Sequence, residues 1–497
     1  MSPRRPFSRV VTAVLAGVAT AGLVAACTPA TGTTEAGGQQ DPRAPAPREL
    51  TVGNERQSRN VVAAGGGDSP YNYGPTVMQD GGMTRMWWCS QLGSARPPGD
   101  DVLYAESPSV DGPFGVSGGG RAHPVFSGSR GGFDAMHTCD PSVIKVADTY
   151  YLYYTGASGD HDHGNKIGLA TSEDGVHWSR ANGGEPIVTP AGDRPVRNSY
   201  GVGQPGAVYL DGWFYLMFTD TTGRKAGWNG AGQFVLRAKD PAFGDGVQAL
   251  TDSGFRPVES THASRERAIV DAFSADLMWV RQLDAFAVAH ETSKGTTLTF
   301  WDRDFTRHPY RAVHVAGPWR EGPGLLRQPD GHAPVSAEDP CGRIPIDVVR
   351  ATRNQRAPTD MRHFGLDITN APGCANTGRA LNVLDGFAAV SPMRTVDLVI
   401  EGKLLRIERR SVAEKLAKNI LDGHVPVLEK ASVAGRLTPG TPAKQAPGRG
   451  VGFLLDGGKL WRVHAPGVVE LNSSPIGDVS PQVWDSYGKG PELVDRS

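Results

Sequence analysis

The sequence predicts an all-β chain: a five-bladed β-propeller followed by a small C-terminal domain of two short β-hairpin/helix repeats. Three observations carry this expectation. A segment recurs about every 65 residues, as YGPTVMQDGGMTRMWWCS from Tyr73, CDPSVIKVADTYYLYYTG from Cys139 and GQPGAVYLDGWFYLMFTD from Gly203. Within each copy a Pro precedes a short apolar strand, and the centre of an aromatic second strand lies 11 residues on: Pro75 to Met86, Pro141 to Leu152, Pro205 to Leu216. A third strand follows at Ala105, Ala170 and Ala238, which are 30, 29 and 33 residues past those prolines. A meander of three or four strands repeated at long period is the unit of a propeller blade, whereas a β-sandwich has no such fixed period.

The remaining elements follow in chain order. Arg4, Arg5 and Arg9 precede an apolar run from Val10 to Val24 that is short and alanine-rich, as in a secretory signal. The run ends in Val24, Ala25, Ala26 and Cys27, which resembles a bacterial lipobox; that resemblance implies lipidation of Cys27 and places the protein at the extracellular face of the cell membrane. Arg4, Arg5 and Phe7 also resemble a twin-arginine signal. Residues 1–27 are therefore read as signal peptide and lipobox, and residues 28–60, rich in Thr, Gly, Pro and Ala, as a flexible tether. The propeller is expected over residues 61–390. Its fourth blade is read in FSADLMWVRQLDAFAVAHET, and its fifth near Cys341 and Arg362.

Residues 391–497 contain a different repeat. DLVIEGKLLRIERRSVAEKL and GFLLDGGKLWRVHAPGVVEL align at an offset of 56, Lys403 on Lys459 and Arg406 on Arg462, each a hairpin turning at Gly-Lys and then a helix or turn. This domain is read as a cap on the propeller or as a contact to the cell wall. The 64 Gly and 38 Pro suit many short strands and turns, and a formal net charge of -1 gives no reason to expect nucleic acid as a partner.

In an exported protein the four further cysteines are expected to pair. Cys89 closes the second strand of one blade and Cys139 opens the first strand of the next, so both belong at one sheet edge; this favours Cys89 with Cys139 and Cys341 with Cys374 among the three possible pairings. No CxxC or His-rich spacing calls for a metal, and no cofactor is expected, although a structural divalent cation in the funnel is compatible with the acidic rim. The run Asp160 to His163 (DHDH) is read as a blade loop.

Propeller geometry delivers the residue before each repeated Pro to one ring, here Gly74, Asp140 and Gln204. Second strands end at the same edge with Thr155, Thr219, Asp220, His290 and Glu291. The stretch DPSVIKVADTYYLYYTG with IGLATSEDGVHWSR resembles blades of the five-bladed propeller glycosidases, especially glycoside hydrolase family 43 and its relatives acting on arabinose, xylose and fructose polymers. The resemblance spans residues 65–390. It implies a general-base Asp, a second Asp that tunes a pKa and a general-acid Glu. Asp140 matches the base, an Asp before Pro at the start of an inner strand. Counting blades implies Asp271 or Asp276 for the second Asp, and Glu338 for the acid with Glu291 as its alternative. Gly74 departs from members whose base lies on the first blade.

Most strand aromatics, including Trp87, Trp88, Tyr151, Tyr153, Phe214 and Phe218, are read as core. Tyr71, Tyr73 and Trp228 are read as platforms for a sugar ring, and His137, Gln204, Asp220 and His290 as polar contacts to it. The expectation is an exported, lipid-anchored glycoside hydrolase acting on a pentose- or furanose-containing polysaccharide. The alternative is a non-catalytic glycan-binding or cell-envelope lipoprotein with a degenerate glycosidase-like propeller.

Overall fold

The computed structural model describes residues 45–65, 71–91, 99–114, 122–159, 163–354 and 357–496. The signal segment, Cys27 and residues 160–162 lie outside the described residues. The described chain is mostly β-strand, and none of its helices is long and apolar enough to cross a membrane.

Five antiparallel units follow one another along the chain. Unit I consists of Tyr73–Asp80, Met83–Gln91, Asp100–Ser107 and His123–Phe126. Unit II consists of His137–Val146, Thr149–Ala157, Lys166–Ser172 and Ser179–Arg180. Unit III has five strands, Val202–Leu210, Trp213–Asp220, Gln233–Ala238, Gln248–Thr251 and Gly254–Pro257. Unit IV consists of Ala275–Val280, Ala285–Thr292, Gly295–Trp301 and Val313–Val315. In unit V, Glu321–Arg327 is followed by Ile344–Asn354 and Ala357–Thr369, and the outermost strand is Thr51–Gln57. The first strands adjoin in the order I to V, and V returns to I through a parallel pairing of Leu326 with Val77 and Arg327 with Met78.

Local chemistry explains the units. The turn at Asp211 and Gly212 has φ of 51° and 80°, the pair of left-handed residues that a two-residue hairpin needs to match strand twist. The strand aromatics then pack between units as expected: Trp87, Trp88, Tyr153, Phe214 and Phe218 are buried, and Tyr151 is partly so. Burying each such side chain contributes on the order of 1.5–3 kcal/mol. Polar side chains join the first strands. Thr76 donates to the Pro141 carbonyl and accepts from Val143 N–H, Ser142 accepts from Ala207 N–H at 2.9 Å, and Asp276 accepts from Leu325 N–H at 2.8 Å.

Three expected boundaries move. Unit V begins at Glu321, about 20 residues before Cys341, because its first strand EGPGLLR carries the repeated Pro but is too glycine-rich to read as an apolar strand. Part of the expected tether is the closing strand Thr51–Gln57. Its sequence TVGNERQ alternates no apolar face because it is an exposed edge strand, held by Arg56 on Asp347 and Asp367 at 2.7 and 2.8 Å. At the other boundary, Phe387–Val390 pairs with Val396–Ile400 and so belongs to the C-terminal domain, which begins before residue 391.

The opposite ends of the first strands are covered by the loop after Arg327. Lys145 N–H donates to Pro329, Tyr209 N–H to Asp330 and Trp279 N–H to Gly331, so this loop crosses units II, III and IV. Arg327 is 1% exposed and donates to the carbonyls of Ala207 and Leu277 while pairing with Asp276 at 3.1 Å.

The C-terminal domain is a duplication. Phe387–Val390, Val396–Ile400, Lys403–Ile407, the helix Arg410–Leu416 and Asn419–Leu421 form one copy. Ala443–Ala446, Gly450–Leu455, Lys459–Val463, the helix Val468–Leu471 and Ile476–Asp478 form the second. In both, the last strand pairs in parallel with the first. The expected hairpins and helices are present, and the copies share a core in which Leu398, Ile407, Val412 and Leu416 meet Phe453, Trp461 and Val468.

Candidate functional site

A single backbone device sets the site. In units I, II, III and V the pairing register shifts at the start of the first strand, a β-bulge, and the residue before Pro takes a left-handed conformation: Gly74 at φ 53°, Asp140 at 46°, Gln204 at 53° and Gly322 at 50°. Glycine adopts this conformation freely, whereas a side chain there costs on the order of 1 kcal/mol. Unit IV pairs Ala275 with His290 and Asp276 with Ala289 without a shift. The bulges turn Asp140 and Gln204 toward the axis, where Gly74, Gly322, Ser274, Ala275 and Asp276 complete the lining of a cavity of about 30 Å³.

Asp140 is 9% exposed. Burial pushes its carboxyl above the usual range; His137 and hydrogen bonding from Thr155 and Tyr200 oppose this, while the charge of Asp100 adds to it. The Tyr200 hydroxyl lies 3.5 Å from Asp140 Oδ2, and a Cβ at Gly203 would fall 2.4 Å from that hydroxyl, which is why this position is glycine. Beside them Asp100 accepts from the Tyr73 hydroxyl at 2.8 Å and lies 3.1 Å from His137 Nδ1. The disulfide Cys89–Cys139 joins units I and II immediately before Asp140, with Cα atoms 5.0 Å apart. Cys341–Cys374 is the second bridge, so both expected pairings are present.

Glu321, adjacent to the ring glycine Gly322, completes a group of carboxylates. Its pKa is raised to about 7, first by burial and then by the charge of Asp140, with Arg320 opposing and Asp100 adding. Three acids of like charge thus meet at one edge with few cations, the arrangement that keeps one of them protonated near neutrality.

The structure separates the other expected acids from this group. Glu338 is exposed and pairs with Arg343 at 2.9 Å in the loop preceding the second strand of unit V, away from the ring. Asp271 is exposed in the loop before unit IV, beside Gly227. Asp276 lines the axial cavity, but its oxygens are taken by Leu277 N–H, Leu325 N–H and Arg327. Glu291 is held between units IV and V: it accepts from Thr296 at 3.0 Å, lies 3.8 Å from Arg350, and is raised by burial to about 7 against the pull of Arg350.

The expected binding residues divide similarly. Asp220 is fully enclosed and saturated by Ala191 N–H, Thr222 and Arg265, so it fixes loops instead of facing a ligand. His290 is buried against Thr299 at 3.2 Å and lowered to about 4 by burial and His314. Tyr73 is buried with its hydroxyl on Asp100, which removes it as a stacking platform. His137 and Gln204 do lie at the ring. Trp228, in the loop between the second and third strands of unit III, is 73% exposed and presents an open aromatic face.

Sequence reasoning missed Glu321, Asp100 and Tyr200. Glu321 precedes Gly322-Pro323, a further copy of the X-Pro signal that also marks Asp140. Asp100 opens and Tyr200 precedes a strand of ordinary sequence, and neither carries such a signal. Among the described residues, the grouping of Cys89, Asp100 and Cys139 has metal-like spacing, but its sulfurs are bonded to each other and supply no thiolate. A larger concavity, about 980 Å³, lies where Glu338 to Cys341 and Cys374 face residues 417–427 of the C-terminal domain.

No family model matches the chain. Two uncharacterized proteins from strains of Mycobacterium tuberculosis are 34% identical to it over 143 residues, which is 27% of this chain and 44% of theirs. The chain thus spans less than half the length of these curated relatives. Solved structures similar to it include a family 117 glycoside hydrolase of Zobellia galactanivorans, at 12% identity and TM-score 0.43, covering 65% of this chain and 92% of that one. The catalytic domain of a family 62 α-L-arabinofuranosidase of Coprinopsis cinerea aligns at 12% identity and TM-score 0.40 over 64% of this chain and 98% of that one. An α-L-arabinofuranosidase of Podospora anserina aligns at 11% identity and TM-score 0.39, covering 66% and 99%.

Proposed function

We propose that the five units are the blades of a β-propeller and that the protein is a glycoside hydrolase, with Asp140 as general base and Glu321, in place of Glu338 or Glu291, as general acid. The observation that carries this reading is the meeting of Asp140 and Glu321 on either side of Gly74 in unit I, where the charge of Asp140 disfavours ionisation of Glu321 and Glu321 is held at about 7. In the reaction Glu321 gives its proton to the glycosidic oxygen as the bond from that oxygen to the anomeric carbon breaks. Water adds to that carbon from the opposite face, and Asp140 takes the proton the water releases. Asp100, fixed by Tyr73 and His137, is the third carboxylate, tuning the other two. The resemblance seen in the sequence points to a pentose- or furanose-containing polysaccharide, and Trp228 supplies an aromatic face for a sugar ring. Incubation with arabinan, arabinogalactan, xylan and fructan, followed by chromatography of released sugars, tests the reading; release must disappear in Asp140→Asn and Glu321→Gln.

A second reading, a glycan-binding envelope protein without turnover, is favoured by one feature. The axial cavity is too small to admit a sugar ring, so a glycan must rest on the face above it. Saturable binding of one of these glycans with no product would establish it. In either case we propose export and lipid anchoring through Cys27, with wall contact through the C-terminal duplication as the accompanying expectation. Incorporation of a labelled fatty acid that is lost in Cys27→Ala tests the anchor.

A further inference from the structure

Four of the five first strands share the left-handed position before Pro, and two of them, in units I and V, fill it with glycine. Asp140 and Gln204 carry side chains in this conformation, at φ 46° and 53°. A strained backbone persists where the surroundings over-determine it, and such positions concentrate where a side chain has a task. Asp140 has one in the hydrolase reading. Gln204 occupies the same position one unit further round the ring.

Its surroundings define that task. Gln204 is 8% exposed and lines the axial cavity together with Asp140. Its backbone N–H is fixed by Thr155 Oγ1 at 2.8 Å, while its side-chain Oε1 is buried with no hydrogen-bond partner. A buried amide oxygen is costly to leave unmet. The cavity, at about 30 Å³, has room for one water and not for a sugar ring. Asp276, the other acid in the lining, is committed to two backbone N–H groups and Arg327 and does not compete for that water.

We infer that the axial cavity seats the water that attacks the anomeric carbon, with Gln204 as its positioning residue and Asp140 as the base that takes its proton. This inference rests on the hydrolase reading and adds to it the origin and alignment of the nucleophile. The water is held below a sugar resting on the face above. Its oxygen forms the new bond to the anomeric carbon, one of its protons passes to Asp140, and the leaving oxygen receives the proton of Glu321. Gln204 Oε1 accepts the proton that the water keeps, which fixes the direction of the remaining lone pairs.

The test uses Gln204→Gly, which removes the amide and adopts the left-handed conformation without strain, so it folds with an unchanged or higher Tm. On the glycan that the wild type cleaves, kcat is expected to fall about tenfold to a hundredfold, the scale of a misplaced reactant, with KM within about twofold. A crystal structure of the wild type is expected to show one ordered water on Gln204 Oε1 within reach of Asp140. If Asp140→Asn abolishes turnover while Gln204→Gly stays within about twofold of wild type, the inference falls and the hydrolase reading stands. A metal ion or an empty cavity in that crystal structure also overturns it. If the wild type cleaves no glycan, the hydrolase reading itself has failed and the inference falls with it.

Discussion

Two clusters of buried charge along the first strands are built in opposite ways. At the end where these strands begin, Asp140, Asp100 and Glu321 stand together, and burial and mutual repulsion raise the pKa values of Asp140 and Glu321. Beside this group Asp276 and Arg327 are also buried, but they pair with each other and with backbone groups of neighbouring units. Burial alone therefore does not mark function. Like charges gathered with too few counterions raise the energy of the folded state, and such groups concentrate where chemistry needs them, whereas a saturated pair joins strands.

Asp140→Asn sharpens this contrast most. On a cleaved glycan it is expected to lower turnover by about 10²–10⁴-fold, the scale of general base catalysis, with Tm unchanged or raised because a repelled charge has been removed. Asp276→Ala is expected to act in the reverse sense. Leaving Arg327 buried without its partner costs about 3–5 kcal/mol, measurable by urea denaturation. If both substitutions lowered stability equally, the distinction between the two clusters would be wrong.

A smaller effect follows from pH. Glu321 must be protonated to act as acid, and its pKa is raised to about 7, so kcat/KM is expected to fall tenfold per unit above that value, and to fall again at lower pH where Asp140, whose carboxyl is also raised, takes up the proton that stops it acting as base. The upper limb should be absent in Glu321→Gln, whose residual rate is low and flat through that range. The smallest expected effect is that of Trp228→Ala, which raises KM by about tenfold or less and leaves kcat unaltered, since a stacking contact on the rim is worth about 1 kcal/mol. A change confined to kcat would move Trp228 from the rim to the reacting centre.

The legible part of the fold was the part with a local signal. Repeated Pro, aromatic second strands and two-residue turns marked units I to III and gave the positions of Asp140 and Gln204 directly, and the offset of 56 exposed the C-terminal duplication. Unit V lacked that signal: its first strand is seven residues with two glycines, and its last strand comes from more than 300 residues earlier in the chain. Counting blades from Asp140 then placed the acid at Glu338, in a loop on the wrong side of the strand Glu321–Arg327.

By itself the sequence determined the β-class, the repeat and the ring residue Asp140, because period, turn chemistry and the X-Pro bulge are local properties of the chain. Only the tertiary structure decided which carboxylates gather. Whether a carboxylate is repelled by others or paired with an arginine depends on groups from different units. Glu321 stands near Asp140 and Asp100, residues 181 and 221 positions away, and electrostatic coupling acts through that distance in space, which closure of the ring alone sets.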